Sequence, residues 1–224
     1  MDKKIEFEDI FRDGAPGYKM LYLEANVSNG PTPESLRKDL ESLAKEIEGK
    51  YSIPDINKIP AIAATRKAYK TFGKDPNRYR PSQEQLMRRI LKGLGLYNVN
   101  ALVDAGNLVS ISTGCSLGIF DRDKISGEIL TLGVGKKDEP YEGIGRGVLN
   151  IEGMPVIRDS VGGIGTPTSD HERTKVSENT KRISVCLHLY DPSSVSPDSV
   201  AMLLKDVLNK YCGVSEIECR IINP

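Results

Sequence analysis

The hydrophobic period of this chain changes at Gly114, and that change limits the available folds more than any other feature. Before Gly114, apolar residues recur mostly at helical spacing. From Gly114 onward they fall in short β-like runs separated by glycine: CSLGIFD, EILTLGV, GVLNI, MPVIRD and KRISVCLHLY. No repeat, low-complexity tract or flexible linker separates the two textures, so they predict one continuous α+β body over residues 1–224 rather than two tethered domains. A chain of this length buries a substantial core without help from disulfides.

The helical half opens with a strand-like run, Tyr18–Val27, ending at the turn SNGP. Thr32 is the expected cap of a first helix, Pro33 its first residue, and Leu36, Leu40, Leu43, Ala44 and Ile47 its buried face. A shorter helix is expected over Ala61–Phe72. Ser82 reads as the cap of a third, with Gln85 as capping-box partner and Leu86, Ile90 and Leu91 as its stripe. Asn98 is the expected cap of a fourth, on which Leu102, Val103 and Val109 form an apolar side while Asn100, Asp104 and Asn107 form a polar stripe. After the β-like segments, Ser196 and Pro197 open a terminal helix with Val200, Leu203, Leu204, Val207 and Leu208 on one face, and IECRII reads as a last strand.

Thirty-one basic and 31 acidic residues cancel, so no global field draws nucleic acid or membrane, and charge recognition must be local. The N-terminal stretch lacks an apolar signal core and no run is long enough to span a bilayer, which sets a reducing cytoplasm as the expected location, with Cys115, Cys186, Cys212 and Cys219 as free thiols. The local exception is the segment from Arg66 to Lys92. It holds Arg66, Lys67, Lys70, Lys74, Arg78, Arg80, Arg88, Arg89 and Lys92 against Asp75 and Glu84, with Tyr69, Phe72 and Tyr79 interleaved. Such a run either contacts phosphates and stacks bases or forms solvated helix faces.

Residues 165–175, GTPTSDHERTK, concentrate hydroxyl, carboxylate, imidazole and guanidinium groups between apolar stretches. Ser169, Asp170 and His171 are not a catalytic triad, because successive residues of an extended segment alternate in direction. The glycines between 133 and 147 match neither phosphate-loop pattern, and Cys186 with His188, alone on what reads as a half-buried strand face, falls short of a zinc site. No metal or cofactor is indicated.

The string NVNALVDAGNLVSISTGCSLGIFDRDKISGEI, continued by PVIRDSVGG and TKVSENTKRI, resembles the B3/B4 domain of the phenylalanyl-tRNA synthetase beta subunit, through Asn100, Asp104, Asn107, Gly114, Leu117, Phe120, Asp121 and Gly127. The likeness covers roughly residues 60–190, and with the basic segment ahead of it the chain looks like the freestanding B3/B4 proteins. It implies a B3/B4-like mixed sheet flanked by helices, and a cavity that hydrolyses the ester of a mischarged aminoacyl-tRNA by positioning water. By that resemblance the partner is tRNA or aminoacyl-tRNA, not DNA or membrane. Arg66, Lys67, Lys70, Lys74, Arg78, Arg80, Arg88 and Arg89 are the candidate RNA contacts, and Asn107, Gly118, Thr168, Ser169, Asp170 and Arg173 the candidate substrate contacts.

Asp170 is expected to accept from a substrate ammonium and Arg173 to hold a phosphate or carbonyl oxygen. His171 is expected to be inert, Asn100 and Asp104 to be structural, and Asp121 to form a turn. The chain departs from the family where the family's histidine falls on Gly118, its threonine on Gly106 and its tyrosine-reading glutamate near Cys186, and where its Ala-Gly segment falls near Thr168 and Ser169. Losing that carboxylate removes the group that recognises a phenol, and the two glycines imply a roomier pocket. The alternative function is a non-catalytic module that binds tRNA or an amino-acid-like ligand.

Overall fold

A computed structural model describes residues 3–224. In chain order the elements are β1 (Lys4–Phe7), α1 (Asp9–Gly14), β2 (Lys19–Asn26), α2 (Glu34–Lys50), a 3-10 segment Ile53–Lys58, α3 (Pro60–Thr71), α4 (Ser82–Leu91), α5 (Ala101–Thr113), β3 (Leu117–Asp121), β4 (Ile129–Val134), β5 (Glu142–Gly143), β6 (Gly147–Val148), β7 (Pro155–Arg158), β8 (Gly163–Gly165), β9 (Arg182–Leu189), α6 (Pro197–Tyr211) and β10 (Ser215–Ile222). The fold is α+β. One antiparallel sheet has the order β10-β2-β9-β3, and a second has the order β1-β4-β7-β8, with β1 parallel to β4 and the other pairs antiparallel.

Alternation along β2 and β9 explains the layering. Leu21, Leu23 and Ala25, with Ile183, Val185, Leu187 and Leu189, point to one side, where Leu36 and Leu40 of α2, Leu102, Ala105 and Val109 of α5, and Val200 and Leu204 of α6 cover them. Met20, Tyr22 and Cys186 point to the other side, against Leu130, Leu132 and Val134 of β4, Ile157 and Ile164. The first sheet is thus sandwiched between helices and the second sheet. Cys186 and His188 are therefore fully buried rather than half-buried; His188 Nδ1 lies 2.7 Å from the Tyr18 hydroxyl, and burial lowers its pKa to about 4. All four cysteines are free, and burial raises the thiol pKa of Cys115 to about 11 and of Cys212 to about 12, which makes them inert at neutral pH.

Three helix starts differ from the sequence expectation. Helix α2 begins after Pro33 without a side-chain cap, because the Thr32 hydroxyl donates to the Asp104 carboxylate instead. Pro81 stands at the cap of α4, and the Gln85 amide donates to Arg80 O just ahead of the cap and reaches Thr168 and Arg146 beyond it. Asn100, not Asn98, caps α5: its Oδ1 accepts from Val103 N at 3.0 Å. At the other end, Gly114 adopts φ +70°, the left-handed conformation that ends a helix, and its N–H returns to Ser110 O. The period change in the sequence thus coincides with a Gly-capped stop. The strands β1, β8 and the short β5–β6 ribbon carry too few residues for a periodic signal, and GVLNI contributes only Gly147–Val148 to a strand. Among the described residues, no helix is long and apolar enough to cross a membrane.

Candidate functional site

Helices α3 and α4 are tied to the 166–170 loop by direct bonds. Ser82 N donates to Pro167 O at 2.7 Å, the Tyr69 hydroxyl meets Thr168 Oγ1 at 2.8 Å, and Gln85 Nε2 bonds Arg80 O at 2.6 Å and Thr168 O at 3.4 Å. Arg146, at the tip of the β5–β6 hairpin, donates to Oε1 of the Gln85 side chain and brings that tip to the same place. Opposite stands α5, oriented by the buried Asp104, which accepts from Thr32 and from Val99 N at 3.1 Å. Burial raises the Asp104 pKa against these bonds and against one from the Asn107 side chain.

A cleft of about 760 Å³ opens between these elements. Leu86 of α4, Val103 and Gly106 of α5, Leu117 and Ile119 of β3, and Val176 give it apolar walls, while Leu94, Tyr97, Val99 and Ile144 sit at its exposed rim. Asn107, Ser110, Thr166, Thr168, Ser169 and Asp170 supply its neutral polar and acidic groups. Six cationic residues line it: Arg80, Arg88, Arg89, Lys92, Arg146 and Lys175. Asp170 is the single acid among the lining residues. In a chain of zero formal charge, this is a strong local concentration of positive potential.

Asp170 sits where two glycines leave room. A Cβ at Gly118 would lie 2.8 Å from Asp170 Oδ1 and one at Gly165 3.1 Å from it, with the Phe120 ring 2.5 Å from both. The carboxyl accepts one bond, from Ile119 N to Oδ2 at 3.3 Å. Burial with so little compensation pushes its pKa up to about 8, so at neutral pH it is mostly the neutral acid. A neutral carboxyl donates a hydrogen bond to a carbonyl or a developing oxyanion; once ionised it accepts from an ammonium. The loop behind it is rigid, because Thr166 Oγ1 donates to Ser169 O at 3.0 Å and accepts from Ser169 N at 3.2 Å, while the Tyr141 hydroxyl donates to Ser169 O at 2.7 Å.

Asn107, Thr168, Ser169 and Asp170 therefore share one cleft, and Arg80, Arg88 and Arg89 reach the same space. Gly118 does not line it. The space left by its missing side chain is occupied by Phe120 and Asp170, and that beside Gly106 by Ile119 and Leu117, so neither glycine deepens the pocket. Arg173 is also placed elsewhere: its guanidinium forms a two-pronged bond to the buried Asp159, at 2.9 and 2.8 Å. Burial alone would raise the Asp159 pKa, but Arg173 and the amides of Ser126, Val161 and Gly162 hold it below the usual range. His171 Nδ1 accepts from Arg173 N at 3.0 Å, and burial and Arg173 lower its pKa; it is not a cleft residue.

In the basic segment, Arg66 is buried and donates to Pro76 O, Asn77 Oδ1 and Glu84 Oε2, and Lys74 is buried with its ammonium on Asn150 O. Neither faces solvent. Lys67, Lys70 and Arg78 are exposed but outside the cleft. Glu84, fully buried, pairs with Arg66 and Arg88 at 2.8 Å and lies 3.7 Å from Arg80, so one carboxylate anchors the guanidinium groups at the cleft edge. The interleaved aromatics are not free platforms: Tyr69 is fully buried, Phe72 stacks on Phe11, and the Lys74 ammonium covers the Tyr79 ring at 3.9 Å. Sequence reasoning held Lys92 only as part of the basic segment and Lys175 only as part of the 165–175 stretch, and did not assign Gln85, Arg146 or Tyr97 to the site. Arg146 carried the one usable signal, a cation set between Gly145 and Gly147 in a turn-rich GIGRG run. No cluster of three or more His, Cys, Asp or Glu side chains able to hold a metal occurs among the described residues.

Comparison with known proteins places the chain in a family. The model of the B3/4 domain matches residues 64–210, which runs from within α3 to within α6 and includes every residue that lines the cleft. Phenylalanine--tRNA ligase beta subunits of Bartonella henselae and Bartonella quintana are each 30% identical over 138 residues, 57% of this chain and 16% of theirs. An N-terminal fragment of the phenylalanyl-tRNA synthetase beta subunit from Pyrococcus horikoshii is similar at 16% identity and a TM-score of 0.49, over 97% of this chain and 52% of the fragment. The chain belongs to the B3/4 domain family. It matches about one sixth of the length of the curated bacterial subunits.

Proposed function

We propose that the cleft receives the aminoacylated 3′ end of a mischarged tRNA and hydrolyses its ester in trans, the 224 residues acting as one domain. The observation that carries this reading is convergence: Asn107, the 166–170 loop and six cations bound one cleft in a molecule of zero formal charge. Phosphates suit the cationic edge and the aminoacyl group suits the apolar interior. Asn107, Thr168, Ser169 and Asp170 are the proposed substrate contacts, with Arg80, Arg88 and Arg89 on the RNA backbone.

In the reaction, the oxygen of a water adds to the ester carbonyl carbon. The neutral Asp170 carboxyl donates to the oxygen that gains charge. The bond from carbon to the ribose oxygen then breaks, that oxygen takes the proton lost by water, and free amino acid and uncharged tRNA leave. The cleft offers no imidazole or exposed thiolate as base, so the rate rests on placing water and carbonyl together. That same shortage favours the second reading, a module that binds the tRNA end without cleaving it. A panel of mischarged tRNAs separates the two. Ester half-lives shortened at least tenfold for one amino acid, and restored towards the buffer value by Asn107→Ala, support hydrolysis. Half-lives equal to buffer across the panel contradict it.

A further inference from the structure

The loop from Lys92 to Val99 gives the cleft a lip that the reaction above does not use. It carries three of the most exposed large apolar residues of the protein, Leu94, Tyr97 and Val99, beside Arg89 and Lys92. Tyr97 is 57% exposed, and no other aromatic lines the cleft among the described residues. Its ring is nevertheless held. The Arg89 guanidinium lies 3.8 Å from the ring centroid, Arg89 Nη1 donates to the Tyr97 hydroxyl at 2.9 Å, and Nη2 donates to Leu94 O at 3.2 Å.

A tyrosine fixed on one face by a guanidinium and left open elsewhere, at the edge of a cationic cleft, has the make-up of a base-stacking platform. Exposing so much ring to water costs free energy that stacking on a planar partner recovers. We infer that Tyr97, backed by Arg89, stacks an unpaired nucleobase of a single-stranded RNA end while Lys92 and the neighbouring arginines meet its phosphates. The charge selects this occupant over an apolar protein segment: six cations line the cleft against one carboxyl. The inference rests on the reading of the cleft as the tRNA 3′-end site and assigns to it a base-binding subsite.

The test uses uncharged RNA, so that it does not depend on ester cleavage. Short single-stranded oligonucleotides with an intact or an abasic 3′-terminal residue are titrated against the full chain and against Tyr97→Phe and Tyr97→Leu. The wild type is expected to bind the intact end about tenfold more tightly than the abasic one. Tyr97→Phe keeps that ratio, and Tyr97→Leu brings it below about twofold. A ratio near one in the wild type, or a ratio unchanged in Tyr97→Leu, overturns the inference and leaves the lip to a protein partner. Deacylation lost with the base effect intact contradicts the proposed reaction alone; deacylation intact without a base effect contradicts the stacking alone.

Discussion

Asp170 shows how two missing side chains at the residue scale set a chemistry. Gly118 and Gly165 leave the niche its carboxyl fills, and burial there makes it an acid that titrates near pH 8. The folded state thus holds a proton that the unfolded chain, titrating near 4, has released. Its contribution to stability is complete below about pH 4 and is lost as pH rises through 8, with a limiting slope of about 1.4 kcal/mol per pH unit. Urea unfolding of wild type and Asp170→Asn across pH 4 to 9 is expected to show this slope in the difference between them. A difference independent of pH contradicts it. Arg66 carries a separate prediction. Arg66→Ala leaves Oε2 of the buried Glu84 and the Pro76 carbonyl without their guanidinium donor, while Arg88 still holds Oε1, and is expected to cost about 2 kcal/mol, whereas Lys67→Ala, on the exposed face of the same helix, changes stability by less than about 0.5 kcal/mol in the same unfolding experiment.

At the scale of elements, α5 orients the site, and its ends are set by two residues. Asn100→Ala removes the bond to Val103 N and is expected to lower stability by about 1 kcal/mol, read from the urea midpoint at constant slope. The helices were legible in the sequence because their apolar faces repeat: Leu36, Leu40 and Ile47 of α2 and Val200, Leu204, Val207 and Leu208 of α6 are all buried. Their starts were less so. Thr32 and Ser82 have the chemistry of caps, but tertiary contacts claim both neighbourhoods, Thr32 for Asp104 and Ser82 N for Pro167 O. Arg66 and Lys74 read as surface cations for a similar reason. Their carbonyl and carboxylate partners lie 10 to 76 residues away, beyond any local pattern.

At the scale of the whole molecule, a sheet buried on both faces carries helices on one side and a second sheet on the other, and the cleft forms where α4, α5 and the 166–170 loop meet. The basic segment, the asparagine helix and the hydroxyl-rich loop were each visible in the chain; the bonds that join them, through Gln85, Tyr69 and Arg146, were not. The claim that all else depends on is that one cleft receives the aminoacylated end. A crystal structure with a nonhydrolysable aminoacyl-adenosine analogue tests it most directly. The analogue is expected between Asn107 and residues 166–170, with its aminoacyl group against Val103 and Ile119; ordered ligand at any other place on the molecule contradicts the account.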